Sequence, residues 1–338
     1  MPLVPETFRR YLLASRPTGL ADEETVRLDD AATVPDPADG QALIRVRYLS
    51  IDPTIRTWMD DAPGYLPPIA IGEVVRGGGI GEVVTSRSAN YHPGDLVFGM
   101  TGWQEYVLAD EGAAAMTTLP AGVDPAVALS VFGVTGLTAY FGLLDVGGPQ
   151  AGDTVVVSGA AGATGSVVGQ LARIAGASNV VGIAGSDEKC AWLTSELGFD
   201  HAVNYRSEPV GRRLAEVCPE GIDVFFDNVG GEILDAALAN LALKARVVLC
   251  GAISQYNEAR PVGPRNYLSL ITRRARMEGF LILDYLDRFP EAQAAMAGWV
   301  MEGSIQHREH VVEGLEHSID ALNLLFNGGN TGKVIVRV

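Results

Sequence analysis

Over the first 125 residues, apolar and polar positions alternate in short runs, the two-residue period of strands whose two faces meet different surroundings. Ala42–Ser50 sets Leu43, Ile44, Val46 and Tyr48 among arginines and predicts one such strand. Ile71–Val84 has the same texture but carries Gly72, Gly77, Gly78, Gly79 and Gly81, which predicts a strand bent or bulged by glycine. The turn His92-Pro93-Gly94-Asp95 leads into Leu96-Val97-Phe98, and Trp103–Leu108 reads as a further strand. From about Asp153 the period changes. The β-branched run Thr154–Val157 meets a cluster of glycines and then the helical spacing of Val167–Ala175. Asn179–Ala184, Asp223–Phe226 and Arg246–Leu249 are the short apolar runs of buried strands, while Glu188–Leu197, Ile233–Leu243 and Pro290–Met301 are helical. Strands alternating with helices predict an α/β domain with a doubly wound parallel sheet and right-handed crossovers. The chain closes on Lys333–Val338, a strand whose natural partner is the β-rich first part. The pattern therefore divides the chain into 1–127, an inserted α/β domain over 128–295, and a return to the first domain over 296–338.

Two uncharged stretches, Ala126–Leu144 and Thr154–Ala172, are long enough to raise the question of a membrane span. Gly, Ser and Thr interrupt both, and neither has an aromatic belt or a Lys/Arg-biased flank, so both are expected inside a soluble core. Composition agrees. The 338 residues suit about two domains, and 41 acidic against 25 basic side chains leave a net charge of −16. That balance argues against nucleic acid or anionic lipid as a partner, since both need a clustered positive surface. Cys190, Cys218 and Cys250 are scattered and suggest a reducing, cytoplasmic setting rather than a disulfide framework. The opening MPLVPETFRR lacks the apolar core of a secretory signal.

The chemistry starts at Val157-Ser158-Gly159-Ala160-Ala161-Gly162-Ala163-Thr164-Gly165, a G-x-x-G-x-x-G turn between a strand and a helix. Glycines there allow a tight turn and a close backbone approach, and the helix N-terminus offers N–H groups to a pyrophosphate, as in the Rossmann fold. The next strand ends Ile183-Ala184-Gly185-Ser186, without the acid that would bond a ribose 2′-hydroxyl, and Lys189 follows one turn later. A small tip beside a cation favours a 2′-phosphate, hence NADP(H) over NAD. Asp187 is the opposing signal, and is expected to cap the helix through Cys190.

Segments spread from residue 49 to residue 333 carry a family resemblance. They are Leu49–Pro53, Gly133–Tyr140, Ala160–Gly165, Gly182–Lys189, Leu197–Tyr205, Phe226–Gly231 (FDNVGG), Cys250–Asn257 (CGAISQYN), Arg276–Phe280 (RMEGF) and Asn330–Lys333. The chain resembles the medium-chain dehydrogenases/reductases, in the zinc-free branch of leukotriene and prostaglandin reductases and plant double-bond reductases. The resemblance implies a GroES-like β domain around the inserted Rossmann domain, and a homodimer. It also implies a 2′-phosphate held at Lys189 and Tyr205, with Gly162, Ala163, Thr164, Gly165, Gly185 and Ser186 along the dinucleotide. Val134, Thr138, Asn228, Cys250, Ala252, Ser254, Tyr256, Phe280, Ile282, Asn330 and Gly332 would line the rest of the cofactor site, and Asp52, Thr54, Arg56 and Glu73 the substrate pocket.

No metal is expected. Residues 1–125 hold no cysteine and only His92, short of the three or so protein ligands a catalytic zinc needs. His307, His310 and His317 with Glu309, Glu313 and Glu316 are the one rival cluster. Without a Lewis acid, reduction of a conjugated C=C bond is easier to support than alcohol oxidation. Hydride adds to the β-carbon of an α,β-unsaturated ketone or aldehyde, and charge moves to the carbonyl oxygen, where donors can meet it. Relatives carry two pocket tyrosines for this purpose, and here both positions are threonine, Thr54 and Thr272. Tyr267, Tyr65 or a cofactor ribose hydroxyl are the alternatives for the missing hydrogen bond. Arg273, Arg274 and Arg276 read as a subunit-contact or solvated face. A quinone reductase and a non-catalytic NADPH-binding protein are the competing readings. Hydrolase signatures are absent from the sequence.

Overall fold

The structure is a computed structural model and describes residues 4–112 and 115–338. Of the opening decapeptide, the first three residues lie outside the described residues. Two compact units divide the chain: residues 1–129, 309–330 and 334–338 form the first, and residues 130–308 with 331–333 the second.

In the first unit, β1 (Thr7–Leu13) and β2 (Val26–Thr33) pair antiparallel as a separate ribbon. Next come β3 (Gln41–Ser50), the short helix α1 (Thr54–Trp58), β4 (Gly78–Ser86), β5 (Leu96–Met100), β6 (Tyr106–Asp110), β7 (Thr117–Thr118) and α2 (Pro125–Leu129). The expected strand over 71–84 begins only at Gly78. Before it, a turn at 70–73, in which the Glu73 carboxylate accepts from the Ala70 N–H at 3.0 Å, leads into an extended stretch where Val74 bridges to Leu12. Trp103 likewise precedes its strand, fully buried in a core with Leu49, Ile55, Met59 and Val334.

The second unit opens with α3 (Val134–Phe141), which runs into a π turn over Gly142–Gly147. Five strand–helix steps follow: β8 (Thr154–Ser158), α4 (Ala163–Ile174), β9 (Asn179–Ala184), α5 (Asp187–Ser195), β10 (His201–Asn204), α6 (Val210–Val217), β11 (Ile222–Asp227), α7 (Gly231–Ala239), β12 (Leu241–Leu249) and α8 (Ser269–Arg273). The last strand and helix of the unit are β13 (Arg276–Gly279) and α9 (Phe289–Met301). The sheet order is β10-β9-β8-β11-β12-β13, all parallel, and its strand order reverses between β8 and β11. In a doubly wound sheet that reversal is where a ligand binds, beyond the carboxyl ends of the two strands. Val155, Val156 and Val157 on β8 and Val224, Phe225 and Phe226 on β11 are fully buried, which holds those strand ends rigidly.

Two boundaries in the second unit differ from the sequence reading. The helix expected over 233–243 ends at Ala239, because Leu241 pairs with Ile222 and Lys244 adopts φ 62° at a register break in β12. Helix α9 buries Ala292 and Met296 within the second unit, so the return to the first begins at Glu309 and not at 296. The two long apolar stretches resolve into α2, α3 and the π turn, and into β8 with α4; no helix among the described residues is long and apolar enough to cross a membrane. The return brings β14 (Glu309–Glu313), α10 (Ser318–Asn327) and β15 (Lys333–Arg337). β15 pairs antiparallel with β3, so both chain ends build one seven-stranded sheet.

Candidate functional site

The glycine turn sits at the reversal point. After β8 the chain turns at Gly159 (φ 58°), and the Gly162 N–H donates back to the Gly159 carbonyl at 3.0 Å. Gly162 is the N-cap of α4, in extended conformation and with no side-chain capping hydrogen bond. The first turn of the helix, Ala163-Thr164-Gly165, therefore keeps its N–H groups for a ligand. A Cβ on Gly165 would stand 2.4 Å from the Gly159 oxygen and 2.8 Å from the Ala160 Cα, so the approach of helix to turn admits only glycine. The Gly332 N–H donates to the Ala161 carbonyl at 2.8 Å and lines up beside Gly162.

The opposite wall comes from β11 and β12. Asp227, fully buried, accepts from the Ser158 hydroxyl at 2.7 Å and from the N–H groups of Val229 and Gly230 at 3.0 and 3.1 Å. Burial raises its pKa against the pull of those donors. The Asn228 amide donates to the Ser158 carbonyl at 2.7 Å, which leaves its Oδ1 as the end able to accept from a ligand. The loops after β11 and β12 are stitched together: Ile253 N–H to Asn228 O, and the Ser254 hydroxyl to Val229 O at 2.6 Å. The Ala252 N–H donates to the Tyr256 hydroxyl at 3.1 Å. Cys250 joins the same loop through its N–H on Asp227 O, and burial pushes its thiol up to about 12. Phe280 meets the edge of Phe226 at 6.5 Å between centroids and fills the space beside Gly142, while Ile282 packs on Leu137, Phe141 and Ala292. Val134, 40 % exposed, starts α3, and the Thr138 hydroxyl donates to its carbonyl at 2.7 Å.

At the tip of β9, the place of a Gly185 Cβ is taken by the Tyr205 ring, whose hydroxyl would lie 2.9 Å away. Ser186, not Asp187, is the N-cap of α5, its Oγ accepting from the Lys189 N–H at 3.3 Å. Asp187 instead accepts from the Asn204 side chain at 2.7 Å. Burial and the nearby Arg206 lower the Lys189 pKa, with Glu188 opposing, and Arg206 also lies 5.8 Å from the Tyr205 ring centroid. Two cations and a phenol thus collect at one acid-free strand tip, the donor set a 2′-phosphate requires. Arg206 was not legible beforehand: it meets Lys189 only because β10 lies beside β9. Asp227 and Ser158 were missed for a similar reason, since their pairing needs β8 next to β11.

In the first unit, the Thr54 and Tyr65 hydroxyls are 2.6 Å apart, and the Tyr65 ring meets the edge of Trp58 at 6.3 Å. Asp52 accepts from the Ser50 hydroxyl at 2.5 Å. Arg56, expected in the substrate pocket, is 3 % exposed, and its guanidinium is engaged by Asp60 and by the carbonyls of Gly19 and Pro17. Glu73 closes its own turn, as above, and Asn330 is buried within the same unit. In the second unit, Tyr267 is 54 % exposed, and Thr272 on α8 donates to the Ser269 carbonyl at 3.2 Å. The His307–His317 segment offers His317 beside Asp320 at 3.6 Å. No group of three or more His, Cys, Asp or Glu side chains is arranged to hold a metal ion among the described residues.

Residues 9–117 match the family described as the N-terminal domain of oxidoreductase, and residues 163–298 match the one described as zinc-binding dehydrogenase. Zinc does not fit the latter stretch here, because its cysteines Cys190, Cys218 and Cys250 are not gathered with one another or with His, Asp or Glu into a group that could hold a metal ion. The NADPH-dependent curcumin reductase of Escherichia coli is 42 % identical over 98 % of this chain and 96 % of its own. The NADP(+)-dependent 2-alkenal reductase of Nicotiana tabacum is 38 % identical over 98 % and 97 %. Among solved structures, CurA of Vibrio vulnificus in complex with NADPH superposes with a TM-score of 0.92 at 42 % identity, covering 98 % of this chain and 99 % of that one. With a dinucleotide turn at the sheet reversal, a cationic strand tip and relatives alike over nearly their whole length, this chain belongs to the zinc-independent medium-chain dehydrogenases/reductases, alongside the curcumin, alkenal and prostaglandin reductases.

Proposed function

We propose that the protein is an NADPH-dependent reductase of the C=C bond in α,β-unsaturated ketones or aldehydes. The observation that carries the cofactor half is the meeting of Lys189, Tyr205 and Arg206 at the Gly185 tip, beside the uncapped first turn of α4. The relatives that act on curcumin and 2-alkenals support the substrate half. NADPH, when bound, supplies the hydride that adds to the substrate's β-carbon. The first turn of α4, Ala163-Thr164-Gly165, would hold the pyrophosphate against its backbone N–H groups, and the strand tip would hold the 2′-phosphate. Asn228 Oδ1 accepts from the cofactor, and its amide, pinned to Ser158, keeps that acceptor in place. Of the groups that could replace the two missing tyrosines, the contact between Thr54 and Tyr65 favours Tyr65. With the Thr54 hydroxyl as the donor of this 2.6 Å contact, the single Tyr65 O–H stays available for the oxygen that gains charge as hydride arrives. Proton delivery to the α-carbon completes the balance.

The test is NADPH consumption against a panel of enones and enals and a panel of quinones, with the saturated carbonyl identified as product. Turnover of quinones alone makes it a quinone reductase; tight NADPH binding without turnover on either panel makes it a non-catalytic binding protein. Tyr65→Phe is expected to lower kcat/KM for an enone by roughly 10²-fold, the cost of one oxyanion donor, with an unchanged NADPH Kd. An unchanged kcat/KM refutes the donor role. The reading extends to a cytoplasmic homodimer. Three free cysteines support the compartment, and the end strand β13, with exposed Ile271 and Leu281 nearby, supports the pairing. A monomer in size-exclusion chromatography with light scattering would refute the latter.

A further inference from the structure

We propose that Asn204 is a positioning residue that sets the preference for NADPH over NADH, by holding the Asp187 carboxylate away from the 2′-phosphate and by placing Arg206 toward it. This rests on the cofactor reading above. Two acids of the first turn of α5, Asp187 and Glu188, stand between the Gly185 tip and Lys189 in sequence; Asp187 is the nearer, only two residues past a tip where an acid would select a ribose diol. Left to choose its rotamer, it would oppose a dianionic phosphate at close range. Asn204 prevents this from the neighbouring strand. Its side chain is nearly buried, and both ends are used: Nδ2 donates to Asp187 Oδ1 at 2.7 Å, and Oδ1 accepts from the Arg206 N–H at 3.1 Å.

The backbone around Asn204 is equally constrained. Its N–H donates to the Glu208 carboxylate at 2.9 Å, its carbonyl accepts from Ser207 and Glu208, and the Tyr205 N–H is tied to Ala184 on β9. One buried amide therefore joins the acid that must be kept aside to the turn that carries Tyr205 and Arg206. The fields divide accordingly. Burial raises the Cys190 thiol, and the charges that add to this are Glu208 and Asp187, whereas the charges acting on Lys189 are Arg206 and Glu188. Arg213, 3.3 Å from Glu208, balances the acidic side.

Calorimetric titration of the full chain with NADPH and with NADH tests the proposal. Asn204→Ala is expected to weaken NADPH binding about tenfold while leaving the NADH Kd within about twofold, since only the phosphate meets the released carboxylate. Adding Asp187→Asn to Asn204→Ala is expected to restore most of the NADPH affinity, an outcome that a general loosening of the turn would not give. Asp187→Asn alone keeps the wild-type preference and serves if the Asn204 variant fails to fold. In that case, a fall in the NADPH-to-NADH preference of Asp187→Asn overturns the proposal. Equal losses for both dinucleotides in Asn204→Ala, or no rescue by the second substitution, overturn it while the cofactor reading stands. A wild-type protein that binds NADH as tightly as NADPH overturns the cofactor reading and this proposal together.

Discussion

Replacing Gly165 by alanine isolates how far the cofactor turn depends on close backbone approach. The added Cβ would stand 2.4 Å from the Gly159 oxygen, 2.8 Å from the Ala160 Cα and 2.9 Å from the Gly159 carbonyl carbon, all backbone atoms that no rotamer change can move. Comfortable contact to an oxygen needs about 3.4 Å, so helix α4 and the turn must separate by about 1 Å. The strain of such overpacking is about 1–3 kcal/mol, offset by less than about 1 kcal/mol from alanine's better helix propensity. The net loss lowers the melting temperature by several degrees for a domain of this size. The functional loss is larger, because a displacement of about 1 Å in a positioning element costs about 10²-fold in turnover. Gly162→Ala is the matched control: its Cβ would meet the Gly159 oxygen at 3.2 Å, a strain that a few tenths of an ångström relieves. Both variants are followed by thermal denaturation and by NADPH titration. Wild-type stability and wild-type NADPH affinity in Gly165→Ala would refute the claim that this turn is rigid and filled.

Lys189→Met is expected to weaken NADPH by tenfold or more and NADH little, read by the same titration. It also carries a pH signature. The native lysine's pKa is lowered, so between that value and the unfolded 10.5 the unfolded chain binds more protons and stability rises with pH. Denaturation of the cofactor-free protein across that alkaline window should show a smaller rise in Lys189→Met than in wild type. Bound NADPH, whose phosphate favours the charged lysine, should suppress the same component in wild type. Asp227→Asn should cost about 1–3 kcal/mol in urea denaturation, because an amide NH₂ turned toward Ser158 or Gly230 leaves a buried donor facing a donor. Full stability in that variant would mean that the loop after β11 is held by other contacts.

The extent to which the site was legible differs from residue to residue. Lys189 and the 159–165 turn could be proposed from spacing because each lies within one strand–turn–helix step, whereas Tyr205, which follows β10, came only from the family resemblance. For Arg56 the sequence motif suggests a pocket group but shows none of its partners, which are Asp60 and two carbonyls of a distant loop. The Thr54–Tyr65 pair could not be foreseen as a pair, since the eleven-residue separation encodes no distance until α1 and the following loop fold back. Asp187 was assigned a capping role on local grounds, and a long-range partner, Asn204, took it.

By itself, then, the sequence determined the class of elements and the type of cofactor. Period-two runs and period-3.6 runs report which face is buried, and a glycine turn before a helix reports where an anion can lie, both consequences of bonds within a few residues. Only the tertiary structure decided which side chains share a space. The parallel order β10-β9-β8-β11 brings Arg206 to Lys189 and Asp227 to Ser158 across intervals of 17 and 69 residues. Those meetings are set by sheet order, which hydrogen bonding and burial across the whole unit select and which no local pattern encodes.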